Sequence, residues 1–219
     1  MKFYSQFIGN GDLCFDVGAH TGSRSSAWLG LDAKVVALEP QPALTKLMQK
    51  KFHSNTHITI LVKAVGDKPG KKIFNIAAGN PSIATFSRKW INLMHTYHPQ
   101  LKWDKCIETE ITTLDNLIEE YGMPAFCKID VEGYEEHVFY GLTNCLPAIS
   151  FEFFPDTVGS AVNCIIRLEN LGSYEYNWSF RESFRFNSMS WLTADQMIKA
   201  MQNYTGKKSG DIYARLKSK

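Results

Sequence analysis

The chain has 219 residues, 44% of them hydrophobic and 21% charged, which suits one full-sized globular domain better than two. Its 24 basic and 22 acidic residues are spread along the sequence, giving a formal net charge of +2 with only short lysine pairs such as Lys50-Lys51, Lys71-Lys72 and Lys207-Lys208. That balance argues against a nucleic-acid partner, and no apolar run approaches the roughly 20 residues of a membrane span. Five cysteines without C-x-x-C spacing (Cys14, Cys106, Cys127, Cys145 and Cys164) point to a reducing compartment. A single soluble, cytoplasmic domain over 1–219 is expected.

From residue 12 to about residue 171, short apolar runs alternate with segments of helical period, the signature of βαβ units around a mainly parallel sheet. Strands are predicted over 13–17, 34–38, 58–65, 125–130 and 148–153, and helices over 23–29, 43–52, 114–121, 135–142 and 157–171. Two stretches break the alternation. In 71–113 a strand over 72–76 leads through Gly79-Asn80-Pro81-Ser82-Ile83-Ala84-Thr85-Phe86-Ser87 to a helix near 90–97. A strand over 106–112 follows, with the alternation of an antiparallel member. In 174–192 aromatic residues and arginines crowd together, followed by a helix over 194–204 and a final strand over 211–216. Loops over strand ends are where such sheets place ligand contacts, so substrate-site loops are expected at 77–105 and 177–192.

The first strand ends in Asp16 and runs into Val17-Gly18-Ala19-His20-Thr21-Gly22, a turn whose glycines let backbone approach a ligand closely before a helix begins. Such a turn serves dinucleotides as well as adenosyl ligands such as S-adenosylmethionine. Glu39, followed by Pro40 at the end of the second strand, is an acid placed to accept hydrogen bonds from two ribose hydroxyls. Glycines at the first and fifth places of the loop depart from G-x-G-x-x-G, which disfavours a nicotinamide cofactor. After the third strand, Gly66 and Asp67 stand where such a sheet walls an adenine pocket. Asp67 either reaches the adenine amino group or belongs to the turn Asp67-Lys68-Pro69-Gly70.

The segment Phe126-Cys127-Lys128-Ile129-Asp130-Val131-Glu132-Gly133-Tyr134-Glu135 closely resembles the K-I-D-x-E-G-x-E hallmark of FkbM-type methyltransferases. Asp16–Gly22, Glu39-Pro40, Thr113-Leu114-Asp115 and Glu152 resemble that family's other motifs in the same order, so the likeness covers roughly 10–155. It implies a Rossmann-like class I methyltransferase fold: a mainly parallel seven-stranded sheet with an antiparallel last strand and helices on both faces. The strands at 106–113 and 211–216 fit that sheet. It further implies S-adenosylmethionine as cofactor and methylation of a hydroxyl oxygen on a small molecule such as a sugar or polyketide.

An alcohol acceptor must lose a proton, which calls for a nearby carboxylate, histidine or metal. Asp130, Glu132 and Glu135 follow the fourth strand and Glu152 ends the fifth, which gathers acids beside one amine, Lys128. Asp130 is the leading base candidate. Lys128 alternates with it on one strand face and either keeps it ionised or binds an acceptor oxygen. The alternative is a buried ion-pair network that supports the turn at Gly133, and Glu135 leans that way as an acid in the first turn of a helix. No dedicated metal signature is present, so a divalent metal is not favoured. His20 either orients the acceptor or bonds backbone, and His53, His57, His95, His98 and His137 form no ligand-spaced set. Ser82 and Thr85 either line the acceptor site or sit in an ordinary loop. Trp178 and Arg181, with their aromatic neighbours, either form a lid over the acceptor or complete the core. A methyltransferase for RNA or protein, and a non-catalytic adenosylmethionine-binding module, are the competing readings.

Overall fold

A computed structural model describes residues 2–77, 79–181 and 183–217. The first half of the chain builds three strands, β1 (Leu13–Val17), β2 (Lys34–Leu38) and β3 (Ile58–Leu61), linked by α1 (Ser23–Leu29) and α2 (Pro42–Lys51). β1 and β2 are buried on both faces along most of their length, which is why they read as continuous apolar runs. Pro42 opens α2, where a missing amide hydrogen costs nothing. A smaller sheet follows, made of β4 (Ala64–Val65), β5 (Gly70–Ile76) and, after α3 (Arg88–Tyr97), β6 (Lys105–Thr112). Alternation then resumes with α4 (Leu114–Tyr121), β7 (Phe126–Ile129), α5 (Glu135–Tyr140), β8 (Ala148–Phe153) and α6 (Val158–Glu169). β9 (Tyr174–Phe180), α7 (Ala194–Gln202) and β10 (Gly210–Leu216) complete the chain's elements.

The main sheet has the strand order β3-β2-β1-β7-β8-β10-β9. Only β10 runs against its neighbours, antiparallel to both β8 and β9. The chain winds outward from β1 to β3 and then restarts at β7 on the other side of β1, so the carboxyl ends of β1 and β7 flank a topological switch point. Trp28 of α1 and Met48 of α2 pack on one sheet face against Cys14, Val35 and Ala37. On the other face, residues of α4 to α7 such as Leu117, Phe139, Ile165 and Met197 pack against Val36, Ile129 and Phe151. This is the expected Rossmann-like arrangement with helices on both faces.

Three details differ from the sequence reading. The run 58–65 holds two strands, because β3 ends at Leu61 and β4 crosses to the small sheet, where it pairs with β6. The strand expected at 106–112 exists as β6 and is antiparallel to β5, but it belongs to that small sheet. The remaining place in the main sheet is taken by β9, inside the stretch expected to interrupt the alternation. Tyr174, Tyr176, Asn177, Trp178 and Ser179 are all buried, so β9 carries no period-two pattern to betray it.

Where α1 and α2 leave β7 and β10 uncovered, an aromatic cluster closes the face. Phe7 stacks on Phe126 and Tyr213 with ring centroids 5.0 and 5.9 Å away, and Phe186 and Trp191 join from the segment after β9. Among the described residues no helix is long and apolar enough to cross a membrane.

Candidate functional site

At the switch point a cleft of about 270 Å³ opens, and Asp16, Gly18, Ala19, His20, Glu39 and Pro40 line one side of it. Gly18 holds φ at +82°, and a Cβ there would lie 1.8 Å from the Asp130 carbonyl oxygen, so only glycine lets the loop pass this close to the end of β7. The amides of Gly18 and Ala19 both donate to the Leu38 carbonyl at 2.9 Å, which ties the loop to β2. Gly22 does something else. It lies outside the cleft lining, and its bare Cα makes room for the Phe52 ring.

Asp16 is buried, and its Oδ2 accepts from the Ser25 amide at 3.0 Å and the Ser25 hydroxyl at 2.5 Å, which anchors the loop to the first turns of α1. Burial pushes its carboxyl up, and the Ser25 bonds work in the other direction. Glu39 is 3% exposed. Its Oε2 accepts from the His20 amide at 3.0 Å and its Oε1 from the Gln41 amide at 2.9 Å. Burial nevertheless raises its carboxyl to about 7, with the two amide bonds pulling downward. Each carboxylate oxygen still has an accepting lone pair beyond the amide it already holds.

The far wall holds Lys63, Ala64, Val65, Phe74, Phe86 and Tyr134. Phe86 sits between the other two rings, with centroids 4.7 Å from Phe74 and 5.2 Å from Tyr134. These rings come from three separate segments, and no local pattern in the sequence announces their meeting. Gly66 and Asp67 lie outside the lining. Gly66 donates its amide to the Thr112 carbonyl at 2.9 Å, and Asp67 occupies the bend before β5, the turn alternative of the sequence reading.

Asp130 and Glu132 line the floor of the cleft where β7 ends. The Lys128 side chain is 1% exposed and reaches Asp130 Oδ2 at 3.2 Å and Asp211 Oδ1 at 2.8 Å. Asp211 escaped the sequence reading. It stands in register with Glu152 across the β8–β10 pair, a long-range relation that only the pairing of β10 creates. Asp130, Glu132 and Glu152 each offer a carboxylate oxygen within 4.8 Å of the others. Burial works against ionising Asp130, but the Lys128 ammonium and a hydrogen bond shared with Glu152 outweigh it, and its carboxyl lies below the usual range. Glu132 and Glu152 are pushed well above theirs, by burial first and the Asp130 charge second. Glu135 supports the turn, because its Oε1 accepts from the Val131 and Gly133 amides at 3.3 Å.

The His20 ring borders the cleft with Nε2 buried and unpartnered, and burial lowers its pKa against the pull of Asp130. Ser82 lines the cleft, with its hydroxyl bonded to Asn80 Oδ1 at 2.6 Å. Thr85 does not line it. It is fully buried, and its Oγ1 donates to the Glu132 carbonyl at 2.7 Å, bracing the turn in which Glu132 holds φ at +54°. Trp178 also lies away from the cleft, packed against Phe153, Phe180 and Tyr204 in the core. Arg181 is exposed just past β9 and outside the cleft lining. The 183–191 segment reaches the cleft through Arg24, a lining residue whose guanidinium lies 5.2 Å from the Phe184 ring centroid.

No curated protein matches the sequence. Among solved structures, a precorrin-6Y C5,15-methyltransferase from Geobacter metallireducens is similar, with a TM-score of 0.52 at 12% identity over 99% of this chain and 86% of that one. An rRNA methylase from Streptococcus thermophilus gives 0.49 at 8% identity over 99% and 93%, respectively. Fibrillarin from Aeropyrum pernix, solved with natively bound S-adenosyl-L-methionine, gives 0.48 at 9% identity over 95% and 68%. At 12% identity the first of these likenesses speaks for the fold alone. The model of the methyltransferase FkbM domain matches residues 16–187, the span that holds the glycine loop, Glu39 and the Lys128–Glu152 acids, and the chain belongs to that family of methyltransferases.

Proposed function

We propose that the protein transfers the methyl group of S-adenosylmethionine to a hydroxyl oxygen of a small molecule held where β7 and β8 end. The observation that carries this reading is the meeting, in one crevice, of a glycine-floored cleft edged by Glu39 with an ion-paired carboxylate, Asp130. The cleft fits the cofactor on three counts. Glu39 has accepting capacity for ribose hydroxyls, the Gly18 cradle admits a ligand where a Cβ would collide with backbone, and Phe74, Phe86 and Tyr134 offer an aromatic wall to a flat base.

Bound there, S-adenosylmethionine supplies an electrophilic methyl group on a sulfonium. The chain's own work is alignment and proton handling. Asp130, kept ionised by Lys128, accepts the acceptor's hydroxyl proton as the oxygen lone pair forms the new carbon–oxygen bond. The carbon–sulfur electrons leave with sulfur as a neutral thioether. His20, a neutral member of the loop, lines the cleft near these groups. The near-balanced charge supports a small acceptor over RNA, whose phosphates call for a basic face.

Calorimetric titration with S-adenosylmethionine, S-adenosylhomocysteine and NAD tests the reading, with binding of the first two alone as the expected result. Preference for NAD overturns it. A screen of hydroxylated metabolites with labelled cofactor then identifies the acceptor, and transfer to RNA instead would replace the small-molecule assignment.

A further inference from the structure

Four acids gather at the closed end of the crevice around Lys128, with the Arg24 charge also acting on Asp130. Asp130, Glu132 and Glu152 converge with carboxylate oxygens within 4.8 Å of one another, and Asp211 stands in register beside Glu152. The ammonium bonded to this group, Lys128, is divided between Asp130 and Asp211, at 3.2 and 2.8 Å. It donates to neither Glu132 nor Glu152 among the hydrogen bonds of the described residues.

A second observation is independent of that crowding. Glu152 Oε2 has no exposed surface and no hydrogen-bond partner, although a buried carboxylate oxygen without one is costly. Two residues earlier, and so on the same strand face, Ser150 is fully buried and its Oγ is also unpartnered. In the glycine loop, His20 Nε2 is a third buried atom without a partner.

We infer that Asp130, Glu132 and Glu152 form a site for one hard divalent cation, of the magnesium, manganese or calcium class, at the acceptor end of the cleft. The dimensions agree. At metal–oxygen distances of about 2.1–2.4 Å, two oxygens of one coordination shell lie at most about 4–5 Å apart. Three carboxylate oxygens make a donor set for hard cations and leave the other positions to water and an acceptor oxygen. The ligands come from the ends of two adjacent parallel strands and the turn after one of them. That turn is fixed by Thr85 from one side and by Glu135 from the other, so the three groups are held before any ion arrives.

This inference rests on the methyltransferase reading of the crevice and alters one part of it. With a cation seated on one oxygen of Asp130, the acceptor oxygen would be polarised by the metal and would give up its proton more readily, to the other oxygen of Asp130.

The test is titration of the purified full chain with Mn²⁺, following free ion by electron paramagnetic resonance. One ion bound per chain, weakened at least tenfold in both Glu132→Gln and Glu152→Gln and unchanged in the surface variant Glu119→Gln, is the expected result. The absence of a stoichiometric site in the wild-type chain overturns the inference without recourse to any variant. So does a site that both substitutions leave intact. Should either variant fold poorly, the wild-type melting temperature with and without Mn²⁺ gives a second readout, and no rise counts against the site. Separate titration with S-adenosylmethionine keeps the two ideas apart: cofactor binding without Mn²⁺ binding removes only the cation, and the converse removes the methyltransferase reading.

Discussion

Glu39 makes the cofactor reading quantitatively testable through pH. Its carboxyl is buried beneath the glycine loop and titrates at about 7, against an ordinary value of 4.5. Its two amide donors favour the ionised form, so burial first, with the Asp16 charge behind it, drives the rise, and a ligand that donates two ribose hydroxyls works against that burial. If the bound state returns Glu39 to an ordinary carboxylate, cofactor binding expels a proton below pH 7. Affinity should then fall roughly tenfold per pH unit between those values, reaching about 150-fold at pH 4.5 and a limit of about 300-fold below it. The same group shapes stability in the free protein. The folded chain holds this proton to a higher pH than the unfolded chain, so its contribution is fully present below about 4.5 and is lost as pH rises to about 7. The full span is about 3 kcal/mol. Other buried acids titrate as well, so the quantity to follow is the difference between wild type and Glu39→Gln. Calorimetry from pH 5 to 8 in two buffers of unlike ionisation enthalpy reads both affinity and proton release. A dissociation constant that stays flat over that range, with the protein folded throughout, refutes the role assigned to Glu39.

Further outcomes follow from individual contacts. Gly18→Ala sets a Cβ against the Asp130 carbonyl and adds a side chain at φ +82°, so it should cost several kcal/mol in denaturant unfolding and abolish cofactor binding. Asp130→Asn should spare S-adenosylmethionine affinity in calorimetry and reduce methyl transfer by at least a hundredfold; intact turnover removes Asp130 from the chemistry. Lys128→Met leaves Asp130 and Asp211 facing each other without their shared ammonium and should destabilise the fold by about 3–5 kcal/mol near neutral pH. Equal melting temperatures for that variant and wild type would contradict the pairing. Trp178→Ala should cost about 3–5 kcal/mol through its core contacts while leaving the cofactor dissociation constant within twofold, the opposite of what a ligand-covering residue does.

Legibility in the sequence followed the range of the forces involved. β1 and β2 are short apolar runs ended by glycine or proline, and both their limits and the glycine loop could be read locally. The acids after β7 were legible because one strand and one turn carry them. What escaped was whatever depends on partners distant in the chain. Lys128 meets Asp211 because β10 lies beside β8, and Phe74, Phe86 and Tyr134 form one wall only after the small sheet has folded over the cleft. β9 escaped for a different reason. Its polar residues Asn177 and Ser179 are buried like their aromatic neighbours, with Asn177 satisfied by the Ser188 and Ser190 carbonyls, so polarity there does not mark the surface. Thr85, which the sequence leaves open between lining the cleft and sitting in an ordinary loop, is a brace, since a hydroxyl in a loop looks the same whether it faces a ligand or a neighbouring carbonyl.

The place of β10 between β8 and β9 has a consequence for how the molecule comes into being. Among the described residues, β9 is hydrogen-bonded into the main sheet only through β10, a strand made some thirty residues later on the ribosome. Until that strand is threaded in, β8 presents an open edge, β9 has no ladder, and Lys128 lacks its nearer counter-charge. Competence of the crevice and closure of the sheet therefore arrive together as a late event of synthesis, and a nascent chain arrested before residue 210 should expose a sticky edge with its charges unbalanced.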